Sequence, residues 1–168
     1  MLYFFRHLLS IALLPFSVTV LIPYWIARRN ATSFHVAGTS FELAMRIASA
    51  PVFWVGFSLF LTSVVMFFRH GRGTLAPWDP PRKLVVKGPY RYVRNPMISG
   101  VIIILLGESM FLISRPHLAW ALIFFSLNAF WIPLFEEPIL RQQFGDDYRE
   151  YCANVPRLVP RLRPWTKQ

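Results

Sequence analysis

Four apolar stretches constrain this chain more than any other feature, because each is long enough to cross a bilayer as helix, which takes about 20 residues. They run roughly His7–Ala27, Ala48–Phe68, Met97–Ile113 and Leu118–Phe135. The first closes with Tyr24, Trp25 and the Arg28-Arg29 pair, aromatics and then arginines, as expected of a helix emerging through headgroups. No small-residue cleavage pattern follows it, and a second apolar run soon does, so it reads as a span and not as a signal peptide. Only Ser114 to His117 separates the last two stretches, which predicts a tight helical hairpin.

Composition agrees. Of 168 residues 55% are hydrophobic and only 15% charged, against about a quarter charged in a soluble domain. The net charge of +10 argues for loops facing anionic lipid, and the apolar runs argue against nucleic acid as its partner. One cysteine, Cys152, allows no internal disulfide, and four scattered histidines lack metal-pair spacing, so no metal is expected.

Counting Lys and Arg sets the orientation. The 69–96 segment holds seven (Arg69, Arg72, Arg82, Lys83, Lys87, Arg91, Arg94) and the tail after Phe135 holds six. One hairpin separates these segments, so they lie on the same side, which the positive-inside rule makes cytoplasmic. Four spans would leave Arg28, Arg29 and Arg46 on the far side. A further re-entrant or interfacial helix around Phe41–Ile47 would accommodate them, giving four to five spans. The expectation is therefore an all-α, polytopic membrane helical bundle of four to five transmembrane helices. A cytoplasmic loop and short C-terminal helices would form its site. It is one structural domain, with N-terminal spans in 1–70 and the chemistry in 71–168.

Both basic segments have structure of their own. Pro77, Pro80, Pro81 and Pro96 exclude a long helix from 71–96 and suggest an extended path over the membrane face. In the tail, Leu140, Phe144, Tyr148 and Tyr151 recur at helical spacing and should lie on the membrane surface or over the other loop. Gly145 can close one short helix, Asp146 or Asp147 can cap the next, and Pro156 stops it.

Few polar residues interrupt the spans. Glu108 either marks a function, as acids inside a bilayer do, or lies near the far interface and pairs with Arg115 or His117. Gly100 and Gly107, seven apart, let a neighbouring helix approach. Asn128 is expected to hydrogen-bond between helices, and Pro133 to bend the fourth span just before Glu136-Glu137. That acid pair is either a salt-bridged helix end or a site for a cationic or hydroxylated ligand.

The run GPYRYVRNPM at 88–97, the hairpin, and EEPILRQQFGDDYREYCANVPRLVP at 136–160 together resemble the isoprenylcysteine carboxyl methyltransferase family. That family sits within a wider group of integral membrane methyltransferases that includes phospholipid N-methyltransferases. The resemblance spans residues 82–160. It implies S-adenosylmethionine held without a Rossmann domain, consistent with the lack of a G-x-G-x-x-G motif. It places the cofactor-binding residues at Arg82, Lys83, Leu84, Val85, Tyr90, Asn95, Pro96, Met97 and Ile98, with Glu136 and Glu137. Catalytic roles would fall to Arg94, Asn95, Glu136 and Glu137. Arg141, with Glu108 and Asn128 in the spans, would meet a lipid-like or lipid-anchored acceptor, a carboxylate or an amine, at the cytoplasmic interface. Membrane lipids are the other partners expected, and oligomeric state is not legible.

Two positions depart from the family pattern: Asn95 stands where the eukaryotic enzymes have histidine, and Ile98 where they have tyrosine. Asparagine orients a ligand but cannot titrate near neutrality, so Asn95 is no general base. Methyl transfer from a sulfonium is an in-line displacement that consumes positive charge, so positioning supplies much of its catalysis. Two other readings stay open: a sterol-reductase-like enzyme using NADPH, and a non-enzymatic membrane protein that keeps the fold.

Overall fold

The computed structural model describes residues 12–30, 38–70 and 84–166. Among these there is no strand. The wide helical segment Ala12–Leu21 runs into α1 (Ile22–Arg29), followed by α2 (Ser40–His70), α3 (Pro96–Leu112), α4 (Arg115–Trp131) and α5 (Glu137–Asn154). A single tight turn, Gly88–Arg91, precedes α3, and a second wide segment, Ile132–Glu136, joins α4 to α5.

Two helical runs, Ser40–Phe67 and Arg115–Asn154, are long and apolar enough to cross a membrane, and α3 is a shorter apolar helix. Only 22% and 11% of their most apolar windows are buried within the protein, the opposite of a soluble core helix. Trp54, Val55, Leu127 and Phe130 all point outward, and lipid is the solvent that suits them. The 40-residue run through α4 and α5 is not one straight helix, since it widens at Ile132–Glu136 and breaks at Gly145 (φ 54°, ψ −128°).

α2 departs from expectation at its start. Phe41–Ile47 is not a separate element but the first turns of one continuous helix of 31 residues, with Glu42 accepting the Gly38 N–H at 2.8 Å. Of the first apolar stretch, residues 7–11 lie outside the described residues, as do 71–83, which hold most of the proline-rich path and both Arg82 and Lys83.

Glycine decides how α2 and α3 pack. A Cβ on Gly100 would sit 2.8 Å from the Phe60 backbone nitrogen and 2.9 Å from the Gly56 carbonyl oxygen. One on Gly107 would meet the Phe53 backbone at 3.0 Å. The antiparallel pair thus touches backbone to backbone, as small residues permit in membranes.

The hairpin is the expected tight one. Ile113 takes the left-handed conformation (φ 49°), and α4 begins at Arg115. Its other face holds the N-terminal helix. Buried His117 donates from Nε2 to the Pro23 carbonyl (3.1 Å), and its Nδ1 meets the Ser114 hydroxyl (2.7 Å). Pro23 has no N–H for the Val18 carbonyl five residues before it, and Trp120 Nε1–H supplies one at 3.1 Å.

Candidate functional site

The site forms where the start of α3 meets the far end of α4. Tyr90 ends up buried in the tight turn, and Pro96 opens α3 with Asn95 as the residue before it. Across from them the Pro133-containing segment Ile132–Glu136 widens the helix, a distortion common at functional sites. That wide turn sets the direction of the two acids that follow.

Glu137 turns inward and is buried. Its Oε1 accepts from Arg94 Nη1 (2.9 Å) and Arg157 Nε (2.6 Å), while Oε2 accepts from Arg141 Nη2 (3.4 Å). Burial pushes its carboxyl up, but the Arg157 hydrogen bond and the charges of Arg94, Arg157 and Arg141 outweigh this and hold it below the ordinary range. Arg94 Nη1 also reaches Cys152 Sγ at 2.8 Å, yet its buried Nε has no hydrogen-bond partner among the described residues.

Glu136 faces the other way, into a cavity of about 610 Å³, well within the size of small-molecule sites. No ion-pair partner for it is found among the described residues. Burial, then the neighbouring Glu137 charge, push its carboxyl up to about 6, against the opposing pull of Arg94. The same cavity is walled by Leu84, Val85, Tyr90, Arg94, Asn95 and Pro96, continuing with Met97 and Ile98. A second limb runs along α4 past Asn128 to Phe124, where Val18, Phe60 and Val101 make it apolar.

The tail closes this site in a way the sequence does not signal. After α5 the chain turns back, and its carbonyls take the N–H groups that precede α3: Arg94 to Pro156 (2.8 Å) and Asn95 to Arg157 (3.2 Å). The Ser99 hydroxyl donates to the Leu158 carbonyl at 2.7 Å. Farther on, the N–H groups of Arg161 and Trp165 donate to the carbonyls of Tyr92 and Arg91, each at 2.9 Å. Tyr148, Tyr151 and Val155 form a small core with Leu84, Val86 and Trp165, so the tail's apolar stripe lies over the other basic segment. The Tyr151 hydroxyl donates to the Tyr90 carbonyl at 2.6 Å.

Most of the expected site residues therefore meet. Leu84, Val85, Tyr90, Arg94 to Ile98, Asn128 and Glu136 share one cavity. Asn128 differs from expectation in its bonding: its amide donates to Phe124 of its own helix (2.8 Å) and not across helices. Glu137 and Arg141 sit behind the cavity wall, joined to it through Arg94. Glu108 lies 12 residues along α3 from Pro96, about 18 Å away. Its Oε2 is buried without a hydrogen-bond partner among the described residues, and the His117 ring is engaged by Ser114 and Pro23 instead. Sequence reasoning missed Tyr148 as a wall residue, Cys152 beside Arg94, and Arg157 as a partner of Glu137. For Arg157 the only available signal was its position beside Pro156 in the closing motif. No group of three or more His, Cys, Asp or Glu able to hold a metal is found among the described residues.

Comparison with known proteins adds a family. A relative, protein-S-isoprenylcysteine O-methyltransferase B of Arabidopsis thaliana, is 38% identical over 79 residues, 46% of this chain and 40% of that protein. The match thus spans well under half the length of the curated relative. No solved structure matches. The family model described as phospholipid methyltransferase matches residues 45–147, more than half the chain and most of the residues that build the cavity. This chain belongs to the phospholipid methyltransferase family.

Proposed function

We propose that this chain is an integral membrane methyltransferase that uses S-adenosylmethionine and methylates a lipophilic or lipid-anchored acceptor. The observation that carries the reading is the two-limbed cavity. Its polar end is lined by Arg94, Asn95 and Glu136, the last with no ion-pair partner found among the described residues. Its other limb, toward Phe124 and Val101, is apolar. A polar, charged cofactor and a greasy acceptor need those two environments side by side.

The residues present fit the cofactor. Arg94 brings a guanidinium to the cavity wall, and a carboxylate is the strongest acceptor for it. Arg94 would hold the cofactor's carboxylate, Glu136 would balance its cationic groups, and the Asn95 amide would bond its polar edge. Leu84, Val85, Tyr90, Met97 and Ile98 supply a wall that keeps water from the reacting atoms. When bound, the cofactor supplies an electrophilic methyl group on sulfur. Glu136, ionised at neutral pH, is also placed to take the proton that an amine acceptor must lose. A carboxylate acceptor needs no such base.

The topology we propose has both basic segments on one side of the membrane. The Arg94–Glu137 ion pair supports it, since it joins the segments before α3 and after α4. Their arginine content favours the cytoplasm for that side, and the N-terminal helix, α2, α3 and α4 would be the four spans. The test is binding of S-adenosylhomocysteine by detergent-purified protein, followed by transfer of labelled methyl into a membrane lipid extract. Retention of NADPH in place of the methyl donor would point to a reductase, and binding of neither by folded protein would leave a non-enzymatic role.

A further inference from the structure

We infer that Glu137 is a positioning residue that aims Arg94 and anchors the 155–166 tail, while its neighbour Glu136 is the acid that meets the ligand. The inference rests on the methyltransferase reading above and divides a pair of acids that sequence leaves equivalent. Consecutive residues on a helix point in different directions, and here the two carboxylates take different surroundings. Glu136 lines the cavity. Glu137 does not: its side chain is 3% exposed, and both its oxygens are taken by arginines.

The chain of contacts runs one way. Glu137 Oε1 and Cys152 Sγ both hold Arg94 Nη1, while Arg94 itself lines the cavity. The same Oε1 holds Arg157, whose carbonyl accepts the Asn95 N–H. One buried carboxylate thus fixes the direction of Arg94 and ties down the strand of tail behind Asn95. Glu137 acts on a ligand only through these groups.

The experiment measures S-adenosylhomocysteine affinity of the full chain in detergent from pH 5 to 8, for wild type, E136Q, E137Q, R94Q and R94Q/E137Q. The charged and titratable groups facing Glu136 are Glu137, Arg94 and the Tyr90 phenol. Wild-type binding should weaken as pH falls through about 6, where Glu136 takes up a proton. E136Q should lose this acid limb. E137Q should keep it with a lower midpoint, since a repelling charge is gone and Arg94 is freed toward Glu136. Its affinity at pH 8 should fall about tenfold, the worth of a charge-assisted hydrogen bond no longer aimed. In the R94Q background, E137Q should add less than about twofold.

An acid limb lost in E137Q and kept in E136Q would overturn the assignment, as would full additivity of R94Q and E137Q. If E137Q fails to fold, E136Q still decides: persistence of the acid limb there sinks the inference. Failure of folded wild type to bind the ligand at any pH would instead remove the methyltransferase reading, and this inference with it.

Discussion

Replacing Glu136 with glutamine should make the ligand-free protein more stable at pH 8, although it removes a residue from the site. Burial and the nearby Glu137 charge raise the Glu136 carboxyl from 4.5 to about 6. At 1.36 kcal/mol per pH unit, keeping it ionised costs the fold about 2 kcal/mol. The sign follows from proton counting. Between 4.5 and 6 the folded state binds more protons at Glu136 than the unfolded state does. The contribution is therefore fully present below 4.5 and is lost as pH rises through about 6. Glu137 behaves oppositely: its carboxyl is held down, so its contribution is present above the ordinary carboxylate range and is lost only at lower pH. The two windows do not overlap. Thermal unfolding of wild type and E136Q in the same detergent, without ligand, isolates the term. At about 2–4 °C per kcal/mol for a chain of this size, E136Q should melt about 4–8 °C higher at pH 8 and nearly level with wild type at pH 4. Equal melting at both pH values would refute the burial argument, and a lower melt at pH 8 would show that Glu136 holds the fold together.

Other perturbations report on separate parts. Gly100→Ala places a Cβ against the Phe60 and Gly56 backbones, so it should cost about 1–3 kcal/mol despite alanine's better helix propensity, read as an earlier unfolding in a denaturing-detergent titration. Phe124→Trp or Val101→Trp should fill the apolar limb, raising KM for the acceptor severalfold while S-adenosylhomocysteine affinity stays unchanged by calorimetry. His117→Ala removes the bonds to Pro23 and Ser114 and should cost about 1–3 kcal/mol, seen as faster proteolysis of the N-terminal helix. Truncation after Asn154 strips the acceptors of the Arg94 and Asn95 N–H groups, and should abolish ligand binding while leaving helix content, by circular dichroism, nearly intact.

What sequence can announce here is whatever depends on periodicity or on a single residue's backbone limits. The apolar stretches, the close approach at Gly100 and Gly107, the break at Gly145 (φ 54°) and the stop before Pro156 are of this kind. The meeting of Arg94–Ile98 with Glu136 was legible through the family's motifs. The rest depended on long-range bonds between backbone groups, which carry no side-chain signature. The tail from Pro156 to Trp165 pairs through its carbonyls and N–H groups, so nothing in its residue order points to Arg91 or Ser99. The separate tasks of Glu136 and Glu137 were hidden for a related reason: the phase of a helix after a widened turn is set by the turn, not by the spacing of the acids. Asn128 misled because an amide in a span can satisfy its donor on its own preceding turn.

The closing tail has a consequence for biosynthesis. The ribosome delivers it after every helix it braces, so the spans insert and pair while the N–H groups of Arg94 and Asn95 still lack their acceptors. A nascent chain stalled before Pro156 would be a membrane-inserted protein with its candidate site unsealed. Pairing of the tail, and not insertion of the spans alone, is what closes the cavity.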